Sequence, residues 1–231
     1  MTLIGISLAP VILLIIYIYY RDKYEKEPKK MLAKAMLFGA LTVIPILFVE
    51  TWLSGYWSGK YDYPSNKIPT AAYNAFIVAS FTEELFKYLV FIIFIWRNKN
   101  FNERFDGIIY AAFISLGFAA VENILYVVQN GMGTGIMRAF TAVPAHAMFG
   151  IAMGFYFGRA KFKGNNPAFN LTAAFLIPFL LHGIYDFILM AENNFLLLLF
   201  IPLLVVMVII ALKQMKRSSQ KKDIPVEVNV E

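Results

Sequence analysis

The chain has 231 residues, of which 59% are hydrophobic, 16% aromatic and 16% charged, with a formal net charge of +6 and no cysteine. Apolar runs of about 20 residues recur along it, which excludes an ordinary soluble domain and is typical of multi-span helical membrane proteins. The absence of cysteine excludes disulfides and thiolate metal sites, and basic residues that lie between apolar runs argue against a nucleic-acid partner.

The hydropathy pattern predicts an all-α bundle of about seven membrane-spanning helices. In chain order, the predicted spans are 3–20, 31–52, 71–96, 105–129, 138–158, 168–190 and 195–212. The first apolar run has a basic cluster after it and none before it, which argues against a cleaved signal peptide. We predict a single transmembrane domain over 1–212, followed by a short, basic, disordered cytoplasmic tail over 213–231.

The distribution of lysine and arginine predicts how the spans are oriented. Seventeen of the 21 basic residues lie in the segments 21–34, 97–104, 159–163 and the tail. The alternate loops carry only Lys60, Lys67 and Arg138. By the positive-inside rule, the C-terminus is cytoplasmic and the N-terminus is outside.

Ionisable side chains inside the predicted spans are functional candidates, because burying one at mid-bilayer costs about 2.5–3.5 kcal/mol. Glu50 lies near a helix end, from which it can reach the interface, and is set aside. The remaining candidates, which include both histidines of the chain, are Glu83, Glu84, Lys87, Glu122, His146, His182 and Asp186.

A helical rise of about 1.5 Å per residue assigns a depth to these candidates. Measured from the outer end of its span, Glu83 lies about 18 Å deep, Glu122 about 10 Å, and His146 and His182 about 12 Å each. Four helices of alternating direction therefore place these groups in one layer, in the outer half of the bilayer. Unrelated structural charges have no reason to share a depth.

Spacing along the helices predicts which candidates meet. Glu83 and Lys87 are four residues apart and pair along one face, whereas Glu84 is turned by about 100° and faces a cavity. His182 and Asp186 are also four residues apart, so this carboxylate orients the imidazole or tunes its charge.

A stripe of glycines on the fifth span predicts where His146 points. Gly150, Gly154 and Gly158 follow it at intervals of four residues, and small residues at this spacing let helices approach closely. His146 is therefore expected to face the interior of the bundle. Two prolines that precede the histidines, Pro144 and Pro178, are expected to open their helices and admit water.

Two histidines and nearby carboxylates can hold zinc with three protein ligands and one open position for water. The metal lowers the pKa of that water to about 7, and a glutamate that Lys87 keeps ionised serves as general base. No HExxH motif is present, so the ligands must come from separate helices. A metal-free mechanism, in which a glutamate activates water and a histidine stabilises the oxyanion, stays open.

Over residues 17–190 the chain resembles the PrsW family of bacterial intramembrane proteases. The segment EELFK at 83–87 is similar to the family's EExxK motif, and FAAVE at 118–122 is similar to its second motif. His146 and the HGIYD segment at 182–186 resemble its two histidine motifs, and YYRDKYEKEP resembles its first cytoplasmic loop. The chain departs from the related CAAX prenyl endopeptidases at Lys87 and Glu122, which disfavours a prenyl-protein substrate.

The resemblance implies a site-1 protease in the bacterial cell membrane, with the lipid bilayer and a single-span anti-sigma factor as partners. Glu83 and Glu84 are predicted to be the water-activating pair. The predicted catalytic residues are Glu83, Glu84, Lys87, His182 and Asp186. Because the family is grouped with metalloproteases, the predicted zinc ligands are Glu122, His146 and His182.

Two other functions fit the same ionisable residues. A proton-coupled transporter also places Glu, Lys and His at mid-depth, although transporters usually show repeated halves, and the sequence shows none. A non-catalytic membrane scaffold is the second alternative. If the chain is a protease, the loop 53–69, rich in Tyr, Trp, Gly and Pro, is expected to gate the entry of a locally unwound substrate helix.

Overall fold

The computed structural model describes residues 2–22, 25–60, 67–162 and 166–219, and almost all of these residues are helical. Within these ranges, six helical stretches are long and apolar enough to cross a membrane. A further helical stretch runs from Lys67 to Ile95. The prediction of an all-α bundle of about seven spans is therefore confirmed.

The helices are numbered in chain order, and two π-helical segments flank α5. Their bounds are α1 Leu3–Arg21, α2 Lys29–Leu41, α3 Val43–Ser58, α4 Lys67–Tyr73, a π segment Asn74–Phe81, α5 Thr82–Val90, a π segment Phe91–Ile95, α6 Arg104–Asn130, α7 Met132–Phe140, α8 Ala142–Phe162, α9 Pro167–Met190, α10 Asn194–Leu198 and α11 Phe200–Ser218.

Prolines mark the start of several helices. α3, α8 and α11 each begin two residues before a proline, at Pro45, Pro144 and Pro202. A proline in the first turn costs no hydrogen bond, because first-turn N–H groups have no partner inside the helix, whereas further inside it clashes with the preceding turn. The predicted span 31–52 is therefore divided at Thr42 into α2 and α3.

The same effect corrects two predictions about the fifth span. Its predicted range, 138–158, starts too early, because residues up to Phe140 belong to α7 and α8 begins at Ala142. Pro144 lies in the first turn of α8, so the expectation that it opens a helix is wrong. Pro178, in contrast, does lie inside α9.

The last span is longer than predicted. α11 continues to Ser218, and its final turns bury Gln214 and Met215 against the bundle, so residues 213–218 of the predicted tail are helical. The remainder of that tail, 220–231, lies outside the described residues.

α6 is the helix around which the others pack. Every side chain from Phe105 to Ala120 is buried, and α1, α2 and α8 contact this helix. A Cβ atom on Gly154 would lie 2.1 Å from the backbone oxygen of Gly107, and one on Gly39 would lie 1.9 Å from that of Ile114. The glycine stripe of α8 is thus a packing surface within the chain, and this contact sets the position of His146 relative to α6.

Candidate active site

α5 contributes three charged side chains to the interior of the bundle. The Nζ atom of Lys87 lies 3.0 Å from Oε2 of Glu83 and 2.9 Å from Oε1 of Glu84. All three side chains are buried. The ammonium reaches both carboxylates because they precede it by four and three residues on one helix. The predicted pairing of Glu83 with Lys87 is confirmed, and Glu84 shares the same cation.

The two glutamates differ in their access to the cavity. Glu83 lines a cavity of about 970 Å³, whereas Glu84 does not line it and is 0% exposed. The expectation that Glu84 faces the cavity is therefore wrong. Lys87 and His182 both lie within hydrogen-bond distance of Oε1 of Glu84, which holds this carboxylate behind its neighbour.

The first π-helical segment, which precedes α5, packs against α9. In a π-helix the hydrogen bonds run from residue i to i+5, which shifts the side-chain register, and such segments are frequent at functional sites. Within the first segment, Ser80 donates a hydrogen bond to the backbone oxygen of Phe179 on α9. The helix that carries His182 is thus fixed beside the one that carries the glutamates.

α8 supplies His146, which is buried between α5 and α6. Its Nε2 atom lies 2.8 Å from Oε2 of Glu122, on α6, and its Nδ1 atom lies 3.4 Å from Nζ of Lys87. Lys87 is a donor, so Nδ1 presents its lone pair to the ammonium and Nε2 donates to Glu122. Ser115 also donates to the backbone oxygen of His146, at 2.6 Å, which fixes the backbone at this residue.

α9 supplies His182 in the corresponding orientation. Its Nε2 atom lies 3.2 Å from Oδ2 of Asp186, and its Nδ1 atom lies 3.0 Å from Oε1 of Glu84. The ring of Phe149 stacks on the imidazole with centroids 4.7 Å apart. The predicted contact between His182 and Asp186 is confirmed.

The two histidines share one pattern. Nε2 contacts a carboxylate that lies outside α5, from Glu122 or Asp186, and Nδ1 contacts a charged group of α5, from Lys87 or Glu84. Direct contacts thus join side chains from α5, α6, α8 and α9, as the common depth in the sequence predicted. Among the described residues, one set of His and acidic residues has ligand-capable atoms that all lie within 4.8 Å of one another. Its members are Glu83, Glu84, His146 and His182.

Glu122 lies outside that set of four, although it was predicted to be a metal ligand. Its Oε2 atom is 2.7 Å from Nη2 of Arg138 in addition to its contact with His146. These contacts favour a role in orienting His146, and direct ligation by Glu122 stays a prediction.

The cavity opens at one end of the bundle. Its lining includes residues near the ends of α3, α6 and α9, at Ser54, Asn130 and Met190. This end is opposite the basic loops and is the predicted outer side. A second cavity, of about 530 Å³, adjoins it and shares Ser54 and Met190 with it.

Part of the predicted gating loop lines this second cavity. Trp57 and Lys67 lie in its wall, and Lys67 forms an ion pair of 2.9 Å with Glu192 after the end of α9. Residues 53–58 of the loop are helical as the end of α3, and residues 61–66 lie outside the described part of the chain.

Three residues of the cavity region were missed in the sequence. Arg138 was counted as a loop charge, and Glu50 was set aside, yet both line the cavity. Asn123 accepts a hydrogen bond from Arg138 at 2.8 Å. The sequence did contain one indication of the role of Arg138. By the positive-inside rule, an arginine is unusual on the side of the membrane that has few basic residues.

Comparison with known proteins gives consistent similarities along the chain. A family model described as PrsW family intramembrane metalloprotease matches residues 27–212. The protein named Protease PrsW from Oceanobacillus iheyensis is 41% identical over 220 residues, which cover 95% of this chain and 97% of that protein. Those of the same name from Geobacillus kaustophilus and Bacillus subtilis are 41% identical over 193 residues (84% and 82% covered) and 34% identical over 217 residues (94% and 95% covered). No solved structure matched.

Proposed function

This chain belongs to the PrsW family of intramembrane proteases, and from this premise we propose that it cuts a single-span membrane protein, an anti-sigma factor, near the extracytoplasmic side of the bacterial cell membrane. The observation that carries the proposal is the set of four ligand-capable side chains, Glu83, Glu84, His146 and His182, whose ligand atoms lie within 4.8 Å of one another. Three of the four line the cavity, and Glu84 lies behind them. We assign hydrolysis to this set and its immediate partners.

The donor set is suited to zinc. Imidazole nitrogen and carboxylate oxygen are zinc ligands, and a catalytic zinc site uses three protein ligands with one open position. Oε2 of Glu84 is buried and has no hydrogen-bond partner, so both of its lone pairs are available to a metal ion. Both histidines already bind a carboxylate through Nε2, the arrangement that orients zinc-binding imidazoles elsewhere. We therefore assign Glu84 and the Nδ1 atoms of His146 and His182 as the residues that would hold the metal.

When bound, zinc supplies a polarised water and a positive charge beside the developing oxyanion. The remaining work falls to the protein. Of the two glutamates in the set, Glu83 lines the cavity and Glu84 does not. We therefore assign Glu83 as the general base that takes the proton from water and delivers it to the leaving amine. The ammonium of Lys87, 3.0 Å away, balances the negative charge of Glu83 and Glu84.

The cavity supports a peptide substrate in an unwound conformation. A helix keeps its amide groups in internal hydrogen bonds, so a substrate must open locally before an amide can reach Glu83. The wall combines apolar side chains such as Phe118 and Phe149 with polar groups such as Thr51 and Asn130, which suits both the side chains and the exposed backbone of such a segment. Its location at the end opposite the basic loops supports a cut near the outer side.

The proposal is tested with the purified protein and a candidate single-span substrate in liposomes. We expect wild type to cleave, Glu83→Gln to lose cleavage while still retaining zinc, and Glu84→Gln to lose both cleavage and bound zinc. Arg159→Gln, at the other end of α8, is the matched control and should behave as wild type. Equal cleavage by wild type and the two glutamate variants would remove the catalytic assignment, and cleavage by metal-free protein would leave a metal-free glutamate mechanism.

A further inference from the structure

Arg138 reaches the cavity from α7, which carries none of the predicted site residues. α7 follows α6 directly after Gly131, whose φ of +82° permits the sharp turn between the two helices. The Arg138 side chain is only 12% exposed, so its charge is largely buried, and a buried charge is costly unless it is paired.

Three neighbouring positions on α6 hold the guanidinium. Nη2 lies 2.7 Å from Oε2 of Glu122, and Nε donates to Oδ1 of Asn123 at 2.8 Å. The guanidinium carbon lies 4.0 Å from the centre of the Tyr126 ring. Asn123 is itself anchored, because its amide nitrogen donates to the backbone oxygen of Ser7 on α1 at 2.7 Å. Two hydrogen bonds in the plane of the guanidinium and one aromatic ring against its face therefore fix its orientation.

One oxygen atom connects Arg138 to the candidate active site. Oε2 of Glu122 accepts from both Arg138 and Nε2 of His146. This contact, at 2.8 Å, favours the neutral imidazole that carries its proton on Nε2, and the longer contact of Lys87 with Nδ1, at 3.4 Å, favours the same tautomer. Without Arg138, the Glu122 carboxylate, which lines the cavity and is 18% exposed, is free to rotate into it. The His146 ring then loses the shorter of the two contacts that select its orientation and tautomer, and only the 3.4 Å contact with Lys87 is left.

We propose that Arg138 is a positioning residue of the reaction centre, which holds Glu122 and, through it, fixes the tautomer and ring orientation of His146. Its effect on catalysis rests on the proposed peptidase function, whereas its effect on the imidazole does not. The two effects are therefore measured separately.

The first measurement reads the imidazole directly. The chain contains only two histidines, so protein labelled with ¹⁵N-histidine gives two sets of ring signals, which His182→Gln assigns. In metal-free wild type, we expect His146 to carry its proton on Nε2. In Arg138→Gln, we expect a mixture of the two His146 tautomers. In Arg138→Lys, which keeps the charge but has a single donor nitrogen, we expect the wild-type tautomer to be partly restored. Arg159→Gln should match wild type. An unchanged His146 signal in Arg138→Gln would overturn the proposal.

The second measurement separates kcat from KM. We expect Arg138→Gln to lower kcat by about 10–100-fold, the usual loss when a group that orients a metal-binding histidine is removed, and to change KM by less than about threefold. Glu122→Gln should cause a similar loss, and the double variant no more than either single one, since both act through one contact. Additive losses would overturn the proposal. If Arg138→Gln does not fold, Arg138→Lys decides, because lysine has one nitrogen where arginine uses two, Nη2 and Nε. The same His146 tautomer and the same kcat in Arg138→Lys as in wild type would then also overturn the proposal. If wild type shows no cleavage, the proposed function fails and the ¹⁵N result still decides this inference.

Discussion

At the scale of single residues, the structure gives both histidines the same environment, with a carboxylate on one nitrogen and the charged groups of α5 on the other. The sequence predicted this for His182, because its partner Asp186 follows by one helical turn. It did not predict it for His146, because Glu122 and Arg138 come from two other helices. Contacts between residues four apart follow from helical spacing, whereas contacts between helices depend on packing angles that spacing alone does not give.

Glu103 provides a prediction about pH at the start of α6. Burial, reinforced by the nearby acidic groups of Asp106, Asp22 and Glu25, raises its pKa from 4.5 to about 7. Between these values the folded protein binds more protons than the unfolded chain, so the stabilisation is complete below pH 4.5 and is lost as the pH rises through about 7. We expect the unfolding temperature in detergent to fall between pH 5.5 and pH 8.

The Glu103→Gln variant should show a smaller fall over this range, because an amide oxygen can still accept the capping hydrogen bond at the start of α6 but does not titrate. Glu192→Gln is the matched control, since the contact with Lys67 lowers the pKa of Glu192 from 4.5, so that this carboxyl titrates below the tested range. A pH profile of Glu103→Gln that is identical to wild type would contradict the assignment.

At the scale of elements, the sequence predicts which segments are helical better than it predicts where they begin. Long apolar runs indicated every span, because each must satisfy its own backbone hydrogen bonds in lipid. The start of α8 at Ala142 was missed because Pro144 was interpreted as opening a continuous helix, and the start of α3 at Val43 was missed because Pro45 was not considered. α7 was missed because it is a helix of only nine residues, which is too short to appear as an apolar run of membrane-spanning length.

The close packing of α6 and α8 makes Gly154 sensitive to substitution. In Gly154→Ala the new Cβ would lie 2.1 Å from the Gly107 oxygen, a rigid backbone atom, so the two helices must separate. Overpacking of this kind costs about 1–3 kcal/mol, and we expect an unfolding free energy in detergent reduced by that amount. Gly133→Ala on α7 meets nothing within 4 Å and should leave stability unchanged or slightly higher. Equal stability of the two variants would show that α6 and α8 do not pack as described.

At the scale of the whole molecule, the long helices of the described residues hold charged and imidazole groups, which lipid does not tolerate, in the interior of the bundle, next to a cavity that reaches one end of it. The common depth of these groups predicted that they would converge, and their contacts bear this out. The cavity itself was not predictable, because its walls come from segments far apart in the chain, including α3 and α7. The orientation in the membrane stays a prediction from the 17 basic residues on one side.

The most direct measurement is the position and chemistry of the cut, obtained by mass spectrometry of a single-span substrate incubated with the protein in H₂¹⁸O. We expect one new C-terminus that carries a single ¹⁸O atom, located in the outer half of the substrate's membrane segment, and no such product with Glu83→Gln. A cut in the cytoplasmic half, or the same labelled product from Glu83→Gln, would contradict the account of a water-activating glutamate at the outer end of the bundle.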